Sequence, residues 1–82
     1  MLIYPNPFTN DFTLEFTTEK EDHTIITLYD LSGREVSVVV DQIIGEGHHS
    51  FHIDASGLPS GIYLCAVVTS DGTVMKKIVK GQ

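Results

Sequence analysis

The sequence predicts an all-β protein, a seven-stranded immunoglobulin-like or fibronectin III-like β-sandwich, and three observations carry that reading. Apolar residues recur with a period of two along most of the chain, no window holds a helical stripe, and turn signals rich in Gly, Pro, Asp and Asn fall every eight to twelve residues. At 82 residues the chain is one domain, 1–82. A domain of that size buries only somewhat more than ~60% of its unfolded surface, which leaves little core from which to carve a catalytic cleft.

The strands follow in order. A short extended piece, Leu2–Tyr4, opens the chain. Phe12, Leu14 and Phe16 alternate with Thr13, Glu15 and Thr17, giving one face for a core. His23–Leu31 carries apolar residues on both faces, as expected of a central strand. Val36, Val38 and Val40 alternate with Ser37 and Val39, and the β-branched run through Ile44 favours strand over helix. His49, Phe51 and Ile53 alternate with Ser50 and His52, Ile62–Thr69 is nearly continuous apolar, and Val74–Lys80 closes the set. The predicted core is Phe12, Leu14, Phe16, Leu28, Phe51, Ile53, Tyr63 and Val67.

The connections carry turn chemistry. Asp30-Leu31-Ser32-Gly33 has Asp first and Gly fourth, the type I pattern, and Asp54-Ala55-Ser56-Gly57 reads as the same turn used again. Ser70-Asp71-Gly72 is a hairpin signal. Leu58-Pro59 followed by Tyr63 at a strand start has the form of a tyrosine corner, whose hydroxyl bonds back to the upstream backbone. Pro5-Asn6-Pro7 fixes φ twice and removes two backbone donors, so it runs as an extended lead-in or an edge.

Composition excludes several functions. Eleven acidic against five basic residues give a formal net charge of −6, which argues against nucleic acid and against an anionic membrane surface. Cys65 is the only cysteine, so no internal disulfide forms, and its apolar surroundings mark it as a small packed hydrophobe. Of the four histidines, His48 and His52 lie ~13 Å apart along one strand and His48 and His49 point to opposite faces, so no metal centre is expected. Asp30, Asp41 and Asp54 lack the alternating oxygen ligands of a calcium loop and are expected to cap turns. No nucleophile elbow or oxyanion loop is present, and the chain is expected to be non-catalytic, with no cofactor.

Three blocks stand out: Tyr4-Pro5-Asn6-Pro7-Phe8, Leu28-Tyr29-Asp30-Leu31-Ser32-Gly33-Arg34-Glu35-Val36 and Leu58-Pro59-Ser60-Gly61-Ile62-Tyr63-Leu64. With the closing Lys76-Lys77-Ile78-Val79-Lys80, their order and spacing resemble the type A C-terminal sorting domain of the type IX secretion system (Por secretion system) of Bacteroidetes. The resemblance covers nearly the whole chain. It implies a β-sandwich that labels an attached, secreted cargo for passage across the outer membrane. The implied partners are an outer-membrane translocon, its shuttle protein and a sortase-like peptidase cutting in a linker before Leu2. It further implies recognition through Pro5, Asn6, Pro7, Gly33, Arg34, Gly61, Tyr63, Lys76 and Lys77, with the cargo domain N-terminal to this piece. The signal for export from the cytoplasm then lies on a larger precursor, of which Met1 is not the natural start. Gly81-Gln82 extend past the last strand and matter if the C-terminus must be free.

Other readings are a fibronectin-like spacer or adhesion module, and a small carbohydrate-binding module of an extracellular enzyme. The second needs an exposed aromatic platform, and with no Trp the candidates are Tyr4, Phe8 and Tyr29. If the strands alternate up and down, the three blocks and the C-terminus gather at one pole. Glu19, Glu21, Asp22, Asp41, Glu46 and Asp71 gather at the other, against Lys20 alone.

Overall fold

The computed structural model describes residues 1–81, all in strands and connections. The seven strands are β1 (Leu2–Tyr4), β2 (Asp11–Thr18), β3 (Asp22–Asp30), β4 (Glu35–Ile44), β5 (Gly47–Asp54), β6 (Gly61–Thr69) and β7 (Gly72–Lys80). They form two sheets, β1-β2-β5 and β4-β3-β6-β7, and every strand pair is antiparallel. The fourth strand pairs with β3, whereas in an immunoglobulin constant-type sandwich it would join the first, second and fifth.

The two sheets bury one face each against the other. Phe12, Leu14 and Ile53 from the smaller sheet meet Ile26, Leu28, Tyr63, Cys65, Val67 and Ile78 from the larger. Six of the eight predicted core residues are buried, and Phe16 and Phe51 are only half-buried. The reason is position. Phe51 sits on edge strand β5, and Phe16 near the end of β2 lines the opening between the sheets; their rings stack 5.8 Å apart at that rim. Phe8, expected among the exposable aromatics, is 1% exposed and packs on Phe12 at 4.9 Å between ring centres.

The valine alternation in β4 does not hold. Register shifts against β3 at Ile26/Thr27 and Leu28/Tyr29 insert extra residues, so Val36, Val39 and Val40 pack on the core while Val38 turns outward, 47% exposed. A bulge moves the pleat by one residue, which strict alternation cannot anticipate.

The Asp30 turn forms as its sequence suggests. The Gly33 amide donates to Asp30 O at 3.0 Å, the Asp30 amide donates to Arg34 O at 2.9 Å, and Gly33 takes φ +87. That is a type I turn closed by a left-handed glycine, a standard three-residue hairpin. A Cβ at Gly33 would meet nothing within 4 Å, so only the backbone objects to a side chain there. Gly33→Val is therefore expected to destabilise by ~1–2 kcal/mol, read as a lowered melting temperature. A variant as stable as the parent would refute the assignment.

The Asp54 turn departs from that pattern. Asp54 Oδ1 accepts from the Ser56 amide at 2.9 Å, but the turn itself is closed one residue later by the Leu58 amide to Ala55 O at 3.1 Å. Asp54 therefore caps the turn from outside, and Gly57 does not take the positive φ that Gly33 does. At the third hairpin Thr69 pairs with Gly72, leaving a two-residue loop of Ser70 and Asp71.

Candidate functional site: the motif pole

The end of the sandwich that receives the C-terminus is assembled from all three sequence blocks. Pro5-Asn6-Pro7 leaves β1 with cis bonds at Tyr4-Pro5 and Asn6-Pro7, and all three residues are exposed. The segment does not enter a sheet; it lies along the free edge of β7. The Asn6 side chain donates to Lys77 O at 3.2 Å and accepts from the Val79 amide at 2.9 Å, imitating the backbone of a neighbouring strand. Phe8 completes the contact, its amide donating to Val79 O at 2.9 Å and its carbonyl accepting from the Gly81 amide at 2.8 Å. The edge of a last strand is a liability for unwanted pairing, and here the first motif block closes its final third.

Lys80 ties the third block to the same strand. It lies on the inward face with Ile78 and is 8% exposed. Its Nζ donates to the carbonyls of Ala55 at 2.8 Å, Ser56 at 3.2 Å and Leu58 at 2.5 Å. A lysine head carries three N–H donors, and this loop offers three acceptors. The loop is held from the other side as well, where the Ala55 amide donates to Asn10 O at 2.9 Å. Tyr63, 6% exposed, donates its hydroxyl to Pro59 O at 2.5 Å, so the tyrosine corner is present. Gly61 opens β6 opposite Lys80, and the Ser60 hydroxyl reaches Gly81 O at 3.2 Å.

The second block supplies the remaining corner. Asp30 Oδ1 accepts from the Ser32 amide and the Arg34 amide, each at 3.0 Å, and from the Ser32 hydroxyl at 2.6 Å. Its Oδ2 pairs with Arg34 Nε at 3.0 Å. The Ser32 hydroxyl above all, and then the Arg34 amide, hold the Asp30 carboxyl below its usual range. Asp30 sits directly across from Tyr63, so the turn and the tyrosine corner share one end of the sheet.

Among the nine residues singled out from sequence, seven lie at this pole: Pro5, Asn6, Pro7, Gly33, Arg34, Gly61 and Tyr63. Lys76 and Lys77 lie further down β7, both exposed, and being adjacent in a strand they face opposite sides of the sheet. Lys77 shares the outward face with Leu64, and Lys76 the inward side with Cys65. They do not form one basic patch. From sequence, Lys80 entered only as the end of the closing basic block, and its inward role was missed. The signal was there: Lys80 is two residues from Ile78 and so on the core face.

The opposite pole is acidic. Asp22 accepts from the Ser70 hydroxyl at 2.6 Å, chiefly through which its carboxyl lies below the usual range, and Lys20 meets Asp71 at 3.5 Å. An open cavity of about 490 Å³ enters between the sheets there, lined by Met1, Phe16, Lys20, Val67 and Asp71 among others.

The histidines are dispersed. His48 contacts Glu15 at 2.8 Å, His52 contacts Asp11 at 3.0 Å, His23 contacts Asp41 at 2.5 Å and His49 meets Gly45 O at 2.6 Å. The Tyr4 hydroxyl bonds Glu15, and that bond first, with His48 second, lowers the Glu15 pKa. Among the described residues, no three His, Cys, Asp or Glu side chains gather as a metal would require. Burial pushes the Cys65 thiol up to about 12, far from a reactive thiolate.

No curated protein matches the chain. A family model described as the secretion system C-terminal sorting domain matches residues 2–81. That match spans both sheets, all three motif blocks and the closing strand, and the chain belongs to this family of type IX secretion sorting domains.

Proposed function

We propose that this domain acts as a non-catalytic, folded address label, read at the motif pole by the outer-membrane translocon and its shuttle protein. Membership of the sorting-domain family makes the chain a type IX secretion signal whose cargo is secreted or held at the cell surface. The finer reading rests on one observation: the first and third blocks meet at the last strand, through Asn6 and Phe8 at its edge and Lys80 into the Ala55–Leu58 loop, and the second shares that end of the sheet through Asp30 opposite Tyr63. Such a surface exists only when the domain is folded, and loops on a rigid scaffold are where recognition is usually placed. Cargo precedes Leu2 and joins at the acidic pole, so it does not cover the opposite end. A sortase-like peptidase then cuts the linker before Leu2.

The test is a reporter fused between a signal peptide and this domain in a host with a working type IX system. The intact fusion is expected outside the cell. Lys76→Ala with Lys77→Ala changes two exposed side chains and is expected to leave the melting temperature unchanged. If charge on β7 is read, that double variant lowers export severalfold. An intact fusion retained in the periplasm, while the host's own cargo leaves normally, would make the plain spacer module the better account.

A further inference from the structure

The outer faces of the two sheets differ in kind. On the three-stranded sheet, β2 and β5 present Thr13, Glu15, Ser50 and His52, a polar surface. The outer face of the four-stranded sheet is mixed, with Tyr29, Leu64, Ala66, Val38 and Met75 between Glu35, Lys77 and the His23–Asp41 pair, and it lies outside the core cluster. Its middle rows read, from β4 across to β7, Glu35–Tyr29–Leu64–Lys77 and Val38–Thr27–Ala66–Met75. Val38 and Met75 are 47% and 54% exposed, while Thr27 and Ala66 between them are buried.

We propose that this face docks a second copy of the chain, the two sheets packing about a two-fold axis parallel to their strands. The rows are self-complementary under that operation. Such an axis lays β4 of one copy over β7 of the other and keeps each row opposite itself. Glu35 then faces the partner copy's lysine at position 77, Val38 faces its methionine at 75, and Tyr29 faces its leucine at 64. Opposite charges at the two rims of one row, with apolar residues between, match a copy of the same face; a patch rimmed by one sign of charge would instead call for a foreign partner. Stacked sheets rotate by ~30°, which shifts a rim residue by about one residue's rise, within reach of a lysine stem. Four strands at ~4.8 Å and about seven residues of length give roughly 450 Å² of face, hence on the order of 900 Å² buried in total. That is the size of weak, transient assemblies, and the dimer is expected in the weak-binding range, at about 0.1–1 mM chain. The inference rests on the sheet face alone and is independent of the export reading.

Sedimentation of the 82-residue chain tests it. The parent is expected to dimerise in that concentration range, and Met75→Glu to sediment as a monomer with an unchanged melting temperature. Glu35→Lys and Lys77→Glu each place like charges at both rims and should weaken the dimer about five- to tenfold. An equimolar mixture of those two variants restores both opposite-charge contacts and should dimerise like the parent. A parent that stays monomeric at about 1 mM, a dimer indifferent to Met75→Glu, or a mixture no better than either variant alone would each overturn the proposal.

Discussion

Lys80→Met is expected to lower the free energy of unfolding by about 2–4 kcal/mol, whereas Lys76→Met and Lys77→Met stay within about 0.5 kcal/mol of the parent. Methionine keeps the length and apolar stem of lysine, so the burial beside Ile78 survives. The loss is the set of bonds from Nζ to the carbonyls of Ala55, Ser56 and Leu58. Bonds from a lysine head are among the stronger kind, and carbonyls stripped of a donor incur part of their desolvation cost as well. Partial access of water to the loop limits the total. For a chain of 82 residues the whole stability is on the order of 4–12 kcal/mol, so this one contact is a large share. In a thermal melt the shift should be on the order of 15 °C. A Lys80→Met domain that melts with the Lys77→Met domain would show the loop to be held by other contacts.

The strand pattern was legible because a two-residue period is written directly in side-chain order. Phe12 and Leu14, or Tyr63, Cys65 and Val67, can face the core only one way once the strand exists. Alternation failed where backbone geometry intervened. The register shifts in β4 turned Val38 outward, and nothing in a run of valines marks which one is extra. Depth of burial was also out of reach: Phe16 and Phe12 are equivalent by period, but only Phe12 lies away from the rim. Turns were readable where one glycine had to take a positive φ, as at Gly33, and misleading at Asp54, where a similar string closes one residue later. The strand count and alternation allowed the pole to be anticipated. Asn6 as an edge cap was not, because the pairing joins residues more than seventy positions apart through a side chain.

Phe8→Ala is expected to cost about 3–5 kcal/mol, the usual range for emptying a buried phenylalanine site. The residue stands in a connection, where loss of a side chain is ordinarily cheap. Its ring is 1% exposed and rests on Phe12, so truncation opens a cavity at the end of the core. The same ring holds the Pro5–Phe8 segment against β7, where the Phe8 amide and carbonyl bond Val79 and Gly81. Two readouts should therefore move together. The melting temperature falls, and the amides of Val79 and Gly81 exchange faster than those in the middle of β6. Phe8→Leu retains most of the apolar volume and should recover more than half of both losses. If Phe8→Ala lowers stability but leaves exchange at Val79 in step with the rest of the sheet, the first motif block is held at the edge by Asn6 alone. If both readouts fail together and the leucine variant rescues both, the ring anchors the block, and the exposed surface of Pro5, Asn6 and Pro7 depends on a residue buried beneath it.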